Sequence, residues 1–243
     1  MKKFFTLIAA VAMAASVSAQ VESVILPATG NTEDAVAYEG EHVLKSANAQ
    51  ILLGCEDEDY KTKDGAVVSW LGTSYVALVQ GSNNPKDDDG KGYNVTKGNL
   101  PSTGCYYVFS AAKNGKVELG IQLNNNKPFF VADGETGMNT VEKVIKDEKG
   151  AVVTLDADEK SSVKVFGTVT FNVEANKSYY VFCTGSKLSF YGYNFEPDTT
   201  PTGISSVESV ASAKSGKTYN LAGQEVSSSF KGLVIKNGKK YVK

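Results

Sequence analysis

Ten short runs of β-branched and aromatic residues, each closed by turn-forming residues, most constrain what this chain can fold into. They are "AQILLG", "VVSWLG", "SYVALVQG", "CYYVFSA", "KVELGIQL", "PFFVAD", "AVVTLD", "VFGTVTFNV", "SYYVFCTG" and "LSFYGYNF", separated by Gly, Asn, Asp, Ser and Lys clusters. Residues of this kind suit a pleated, half-buried surface, and Gly and Asn at the breaks supply the turns. Sustained helical periodicity is nearly absent. Only "MNTVEKVIKDEKG", from Met138 to Gly150, competes as a short helix. Strands at this spacing predict an all-β chain: a jelly-roll-like β-sandwich over residues 20–196. That length is ample for one core.

The ends of the chain read differently from the body. Lys2 and Lys3 precede the apolar run "FFTLIAAVAMAA", which is too short to span a bilayer, and Val17-Ser18-Ala19 offers small residues for cleavage. Residues 1–19 are therefore expected to be a signal peptide, with a mature chain that starts at Gln20, lacks a transmembrane segment, and is secreted or displayed on the cell surface. After the body, "EPDTTPTGISS" has the composition of a linker, assigned to residues 197–215. Residues 216–243 then hold three short strands, "TYNLAG", "GLVIK" and "KKYVK", the last two joined by Asn-Gly, a strong hairpin signal. So short a unit buries little core alone. It is expected either to dock on the body or to serve as a recognition tag.

Charge narrows the chemistry. The 25 basic residues are all lysine and face 27 acidic ones. Lys214, Lys217, Lys231, Lys236, Lys239, Lys240 and Lys243 crowd the C-terminus against Glu225 alone, so the body is distinctly acidic. An acidic body argues against nucleic acid, whose phosphates need a basic face. Without arginine there is no bidentate clamp for carboxylate or phosphate. His42 is the only histidine, and there is no G-x-S-x-G elbow, C-x-x-C, H-E-x-x-H or phosphate loop. No catalytic motif is recognisable, and the chain is expected not to be an enzyme. Export permits a disulfide among Cys55, Cys105 and Cys183. Three pairings are open, as is the alternative of buried free thiols.

Two stretches carry candidate binding chemistry. "GSNNPKDDDGKGYN" offers Asn83, Asn84, Asp87, Asp88 and Asp89 as hard oxygen ligands on a Gly-containing loop, a composition that suits Ca²⁺. The alternative is a solvated acidic turn. "SYYVFCTGSKLSFYGYNF" packs seven rings into eighteen positions. Strand alternation sets Tyr179, Val181 and Cys183 on one face and Tyr180 and Phe182 on the other. In the following strand it sets Leu188 and Phe190 opposite Tyr191, Tyr193 and Phe195. Core packing accounts for Phe182, Leu188 and Phe190. Tyr191 and Tyr193 stand open to two readings, core rings or a platform on which a sugar stacks, and Trp70 and Tyr75 share that choice. The tetrapeptide "YYVF" recurs at Tyr106–Phe109 and Tyr179–Phe182, and two similar hairpins are expected, one in each half of the sandwich.

The tail and the body each resemble a known group. "YNLAGQEV…KGLVIKNGKKYVK", from Tyr219 to Lys243, resembles the C-terminal segment of many secreted Bacteroidetes proteins, especially from Bacteroides and Prevotella. It is similar to type IX sorting domains, but shorter. The resemblance implies export to the surface or beyond, with the secretion or outer-membrane machinery as partner. "NNPKDDDGKG", "LPSTGCYYVFSAAKNGKVELGIQLNNNKPFFV" and "VTFNVEANKSYYVFCTGSKLSFYGYNF" resemble a β-sandwich module of that phylum that accompanies pectate lyases and other polysaccharide-active enzymes. This implies a non-catalytic, glycan-binding role.

The expectation is thus an exported, non-catalytic module that binds a polysaccharide or other glycan. One alternative is a surface or matrix protein acting through protein contacts, which a long exposed apolar face would favour. The other is a polysaccharide lyase or other glycan-active enzyme, the lyase using Tyr and Lys for proton transfer, which a cleft holding both would favour.

Overall fold

A computed structural model describes residues 20–54, 57–70, 72–94, 97–199, 218–220, 225–227, 230–236 and 239–242. The expected signal peptide, most of the expected linker and Cys55 lie outside the described residues. The chain divides into two compact units, one spanning Ser18–Thr199 and the other holding the C-terminal strands. Among the described residues there is no helix, and so none long and apolar enough to cross a membrane.

The described residues of the body form fourteen strands: β1 (Glu22–Ile25), β2 (Val36–Ala37), β3 (Val43–Lys45), β4 (Ala49–Leu53), β5 (Tyr60–Trp70), β6 (Thr73–Gly81), β7 (Tyr106–Ala111), β8 (Gly115–Leu123), β9 (Phe129–Asp133), β10 (Lys143–Asp147), β11 (Val152–Val153), β12 (Val165–Val173), β13 (Ser178–Cys183) and β14 (Ser189–Pro197). All ten runs read from the sequence contribute strands. The stretch that competed as a helix contains β10 instead, because its alternating Val144 and Ile145 pair edge to edge with β12. The strands form two antiparallel sheets. One runs β11-β10-β12-β8-β14-β6-β5-β2, with β1 also on β14; the other runs β3-β4-β7-β13-β9. Successive strands repeatedly change sheet, as the jelly-roll-like sandwich reading expects.

Period-two alternation builds the core between the sheets. The smaller sheet sends in Ile51 and Leu53, Tyr107 and Phe109, Phe129 and Val131, and Tyr179, Val181 and Cys183. The larger sheet answers with Val79, Val117, Leu119, Ile121, Val169, Phe171, Phe190, Tyr193 and Phe195. Burying one such side chain is worth about 1.5–3 kcal/mol, so this layer carries most of the stability.

The two "YYVF" copies do not form two hairpins. β7 and β13 are neighbours in one sheet and face each other across the whole tetrapeptide, from Tyr106↔Phe182 to Phe109↔Tyr179. Each then crosses to the other sheet, where β8 and β14 pair in turn. The connections after β7 and β13 carry the chain across the core rather than turning it back in plane. Opposed residues of an antiparallel pair share a face. Tyr106, Val108, Tyr180 and Phe182 therefore point outward, while Tyr107, Phe109, Tyr179 and Val181 fill the core.

In the second unit, β15 (Thr218–Asn220), β16 (Leu233–Lys236) and β17 (Lys239–Val242) form an antiparallel sheet. Lys236 pairs with Lys239, the register of a two-residue hairpin.

Candidate functional site

The four rings singled out from the sequence part company in the structure. A β-bulge in β14 is responsible. Phe190 pairs with Ile121 but Gly192 pairs with Gly120, so Tyr191 is an extra residue. This reverses the expected alternation. Tyr193 and Phe195 join Phe190 in the core, and Tyr191 turns to the outer face of the larger sheet. Tyr193 is fully buried, and its hydroxyl donates to the Ala49 carbonyl at 3.0 Å and to Ser46 Oγ at 3.2 Å. Its ring meets Phe109 edge-on at 5.4 Å. Burial pushes its phenol up to about 12.

Tyr75 and Tyr191 come together with Val68 and Leu78 in a second cluster, on which Ile25, Trp70 and Phe166 pack. Both tyrosines have 0 % exposure. Gly120 leaves the space their rings fill: a Cβ there would lie 2.8 Å from Tyr191 Cβ and 2.9 Å from Tyr75 Cδ1. Trp70 is half-buried, and the turn at Gly150 lies against its ring. Nearby Glu118 is buried with Oε1 lacking a hydrogen-bond partner, and burial raises its carboxyl above the usual range. This cluster is a covered layer, with no open face on Tyr75 or Tyr191.

The acidic loop is tied together by its own groups. Asp87 Oδ1 accepts the Lys91 N–H at 2.6 Å, and Oδ2 accepts the Asn99 amide. Asn99 Oδ1 in turn accepts the Asn94 N–H at 2.8 Å. Burial alone would raise the Asp87 carboxyl, but these donors hold it below the usual range. Asn83 donates from its backbone N–H and its side chain to Glu58, while Asn84, Asp88 and Asp89 are exposed. Among the described residues, no three acidic, His or Cys side chains converge as a metal site. Asp87 works as the clasp of the loop.

That clasp builds one wall of a groove of about 630 Å³ over the outer face of the smaller sheet. Its lining includes Tyr106 and Tyr180, stacked with centroids 5.7 Å apart and planes 14° off parallel. Val108 and Tyr180 are opposed across β7 and β13, and Tyr106 sits two residues along on the same face, so the rings are diagonal neighbours. Tyr106 is buried and backs the half-buried Tyr180. Asp88, Asp89, Asn99, Ser102 and Thr136 add polar groups around them. The opposite wall is the turn after β9, where Asp133 Oδ1 accepts the N–H groups of Glu135 and Thr136, each at 2.9 Å. Tyr93 ties the walls by donating to the Gly137 carbonyl at 2.7 Å. Gly98 and Gly137 meet so closely that a Cβ on Gly137 would lie 1.8 Å from the Gly98 carbonyl oxygen. Both have φ in the left-handed region, which glycine reaches without strain.

The groove therefore offers an aromatic floor held by rigid strands and a polar rim held by two clasped loops. Among the described residues no lysine lines it. His42 stands edge-on to Tyr60, 5.7 Å between centroids, at a separate place. Cys105 and Cys183 are free and buried, and burial pushes the Cys105 thiol up to about 11. Neither joins the disulfide left open by the sequence. Tyr106 and Tyr180 were missed as site residues, though the "YYVF" echo marked both strands. Their outward pairing needed the strand register. No protein-family model matches the chain, and no curated protein matches it.

Proposed function

We propose that this chain is an exported, non-catalytic binding module that holds a polysaccharide or other glycan in the groove over β7 and β13. The observation that carries the reading is the Tyr106–Tyr180 stack beneath a rim of hydrogen-bonding side chains. An aromatic face suits the apolar C–H face of a sugar ring, and a few polar groups fix its hydroxyls. The groove has room for a short length of chain. Export, surface location and delivery through the C-terminal unit belong to the same proposal, supported by the leader-like start and the tail motif.

The test is affinity gel electrophoresis and a glycan array with the mature chain. Binding is expected, and Tyr180→Ala weakens it about five- to tenfold, the scale of one aromatic contact. Trp70→Ala leaves it unchanged, because Trp70 belongs to the other sheet. Absence of retention on any glycan, or loss with Trp70→Ala but not Tyr180→Ala, refutes this site.

A further inference from the structure

We infer that the groove discriminates by charge: it accepts uncharged sugar rings and rejects polyuronates. This rests on the glycan reading above and deepens it. Asp87, Asp88, Asp89 and Glu135 all line the cavity, and among the described residues no cationic side chain does. Lys91 Nζ lies 3.8 Å from Asp89 on a pair that is mostly in water, and Lys177, which also acts on Glu135, is paired with Glu174 at 3.1 Å, so both offset little. Asp87 is held by its loop donors, whereas Asp88, Asp89 and Glu135 are exposed with their charges turned to the rim. A carboxylate on every ring of a bound chain would stand beside this rim. Such juxtaposition of like charges is costly, and it acts over roughly 8–10 Å at moderate salt. The neutral donors and acceptors that remain, Asn99, Ser102 and Thr136, suit hydroxyls.

A depression of opposite sign lies elsewhere on the body, lined among the described residues by Lys61, Lys63 and Lys187 with Gln80 and no acid. Anionic chains have that surface available, so the test must separate the two places.

The experiment compares neutral galactan, glucan and mannan chains with polygalacturonate and alginate, on the mature chain, at low and high salt. Neutral chains are expected to bind through Tyr180. The uronates are expected to bind at least about tenfold more weakly at that groove, with the gap narrowing as salt rises. Replacing Asp88→Asn, Asp89→Asn and Glu135→Gln together is expected to narrow the gap at low salt. Uronate binding that survives Tyr180→Ala and falls with Lys61→Gln and Lys63→Gln lies outside the groove and agrees with the inference. Uronate held as tightly as the neutral chains, and lost with Tyr180→Ala, overturns the charge selection while leaving the glycan groove intact. If no chain of either kind is retained, the glycan reading itself fails, and the inference fails with it.

Discussion

Tyr193 gives the sharpest test of the division between core rings and ligand-facing rings. Tyr193→Phe removes one hydroxyl that donates to Ala49 O and Ser46 Oγ. The Ala49 carbonyl keeps the Ser46 N–H at 2.8 Å, so no orphaned acceptor is left behind. The loss is then that of a net hydrogen bond, about 1 kcal/mol. For a domain of this size that lowers Tm by about 2–4 °C. Tyr193→Ala also removes the ring packed on Phe109 and opens a cavity in the main core. That costs about 3–5 kcal/mol and lowers Tm by about 6–20 °C. Differential scanning calorimetry of the mature chain reads both steps, and affinity gels on the same samples read binding. The expected result is a graded loss of stability, with Tyr193→Phe binding as well as wild type. An unchanged Tm for Tyr193→Ala, or weakened binding at unchanged Tm, would show the ring facing a ligand and refute the placement.

Further predictions follow from the groove walls and the buried carboxyl. Gly137→Ala pushes a Cβ into the Gly98 carbonyl and forces a strained φ, so it should cost about 1–3 kcal/mol and weaken glycan binding by spreading the walls; a variant with wild-type Tm and affinity would contradict the close approach. Burial raises the Glu118 carboxyl in the folded state despite the hydrogen bond from Asn194 and the fields of Lys146 and Lys116. A raised folded pKa favours the protonated form, so its contribution is full below the ordinary value of 4.5 and is lost as pH rises through the folded value. Glu118→Gln should therefore gain on wild type as pH climbs from 4.5 toward neutrality, and parallel Tm–pH curves for the two proteins would count against it. Because Asp87 closes its loop with protein donors, a chelator should leave both Tm and glycan binding unchanged. A drop of several degrees in chelator, restored by calcium, would return the acidic loop to metal binding.

Much of the architecture was legible in the chain because strand formation is local. Side chains with two-residue alternation and Gly- or Asn-marked breaks pick out strands wherever they sit, and "SYYVFC" divides between the two faces as its spacing demands. The extra residue at Tyr191 was not legible. A bulge depends on how β14 meets β8 and how β1 approaches Gly192, where a Cβ would lie 2.3 Å from the Val24 carbonyl oxygen. β10 was ambiguous for a related reason: its short sequence serves as a helix or an edge strand, and its partner β12 decided the matter.

The candidate groove divides in the same way. Composition determined that the body is acidic, rich in tyrosine and poor in histidine and cysteine, because those properties are sums over the chain. Which tyrosines reach the outer face of the sheet was set by pairing. One tetrapeptide, used twice, sends Tyr106 and Tyr180 outward and Tyr107 and Tyr179 into the core, since opposed strands share a face and the two copies run in opposite directions. Asp87 likewise reads as a metal ligand by type, and loop closure brings the Lys91 N–H and the Asn99 amide onto its oxygens. Residue identity determined the chemistry on offer; strand register and loop closure, which are long-range, decided which of it faces solvent.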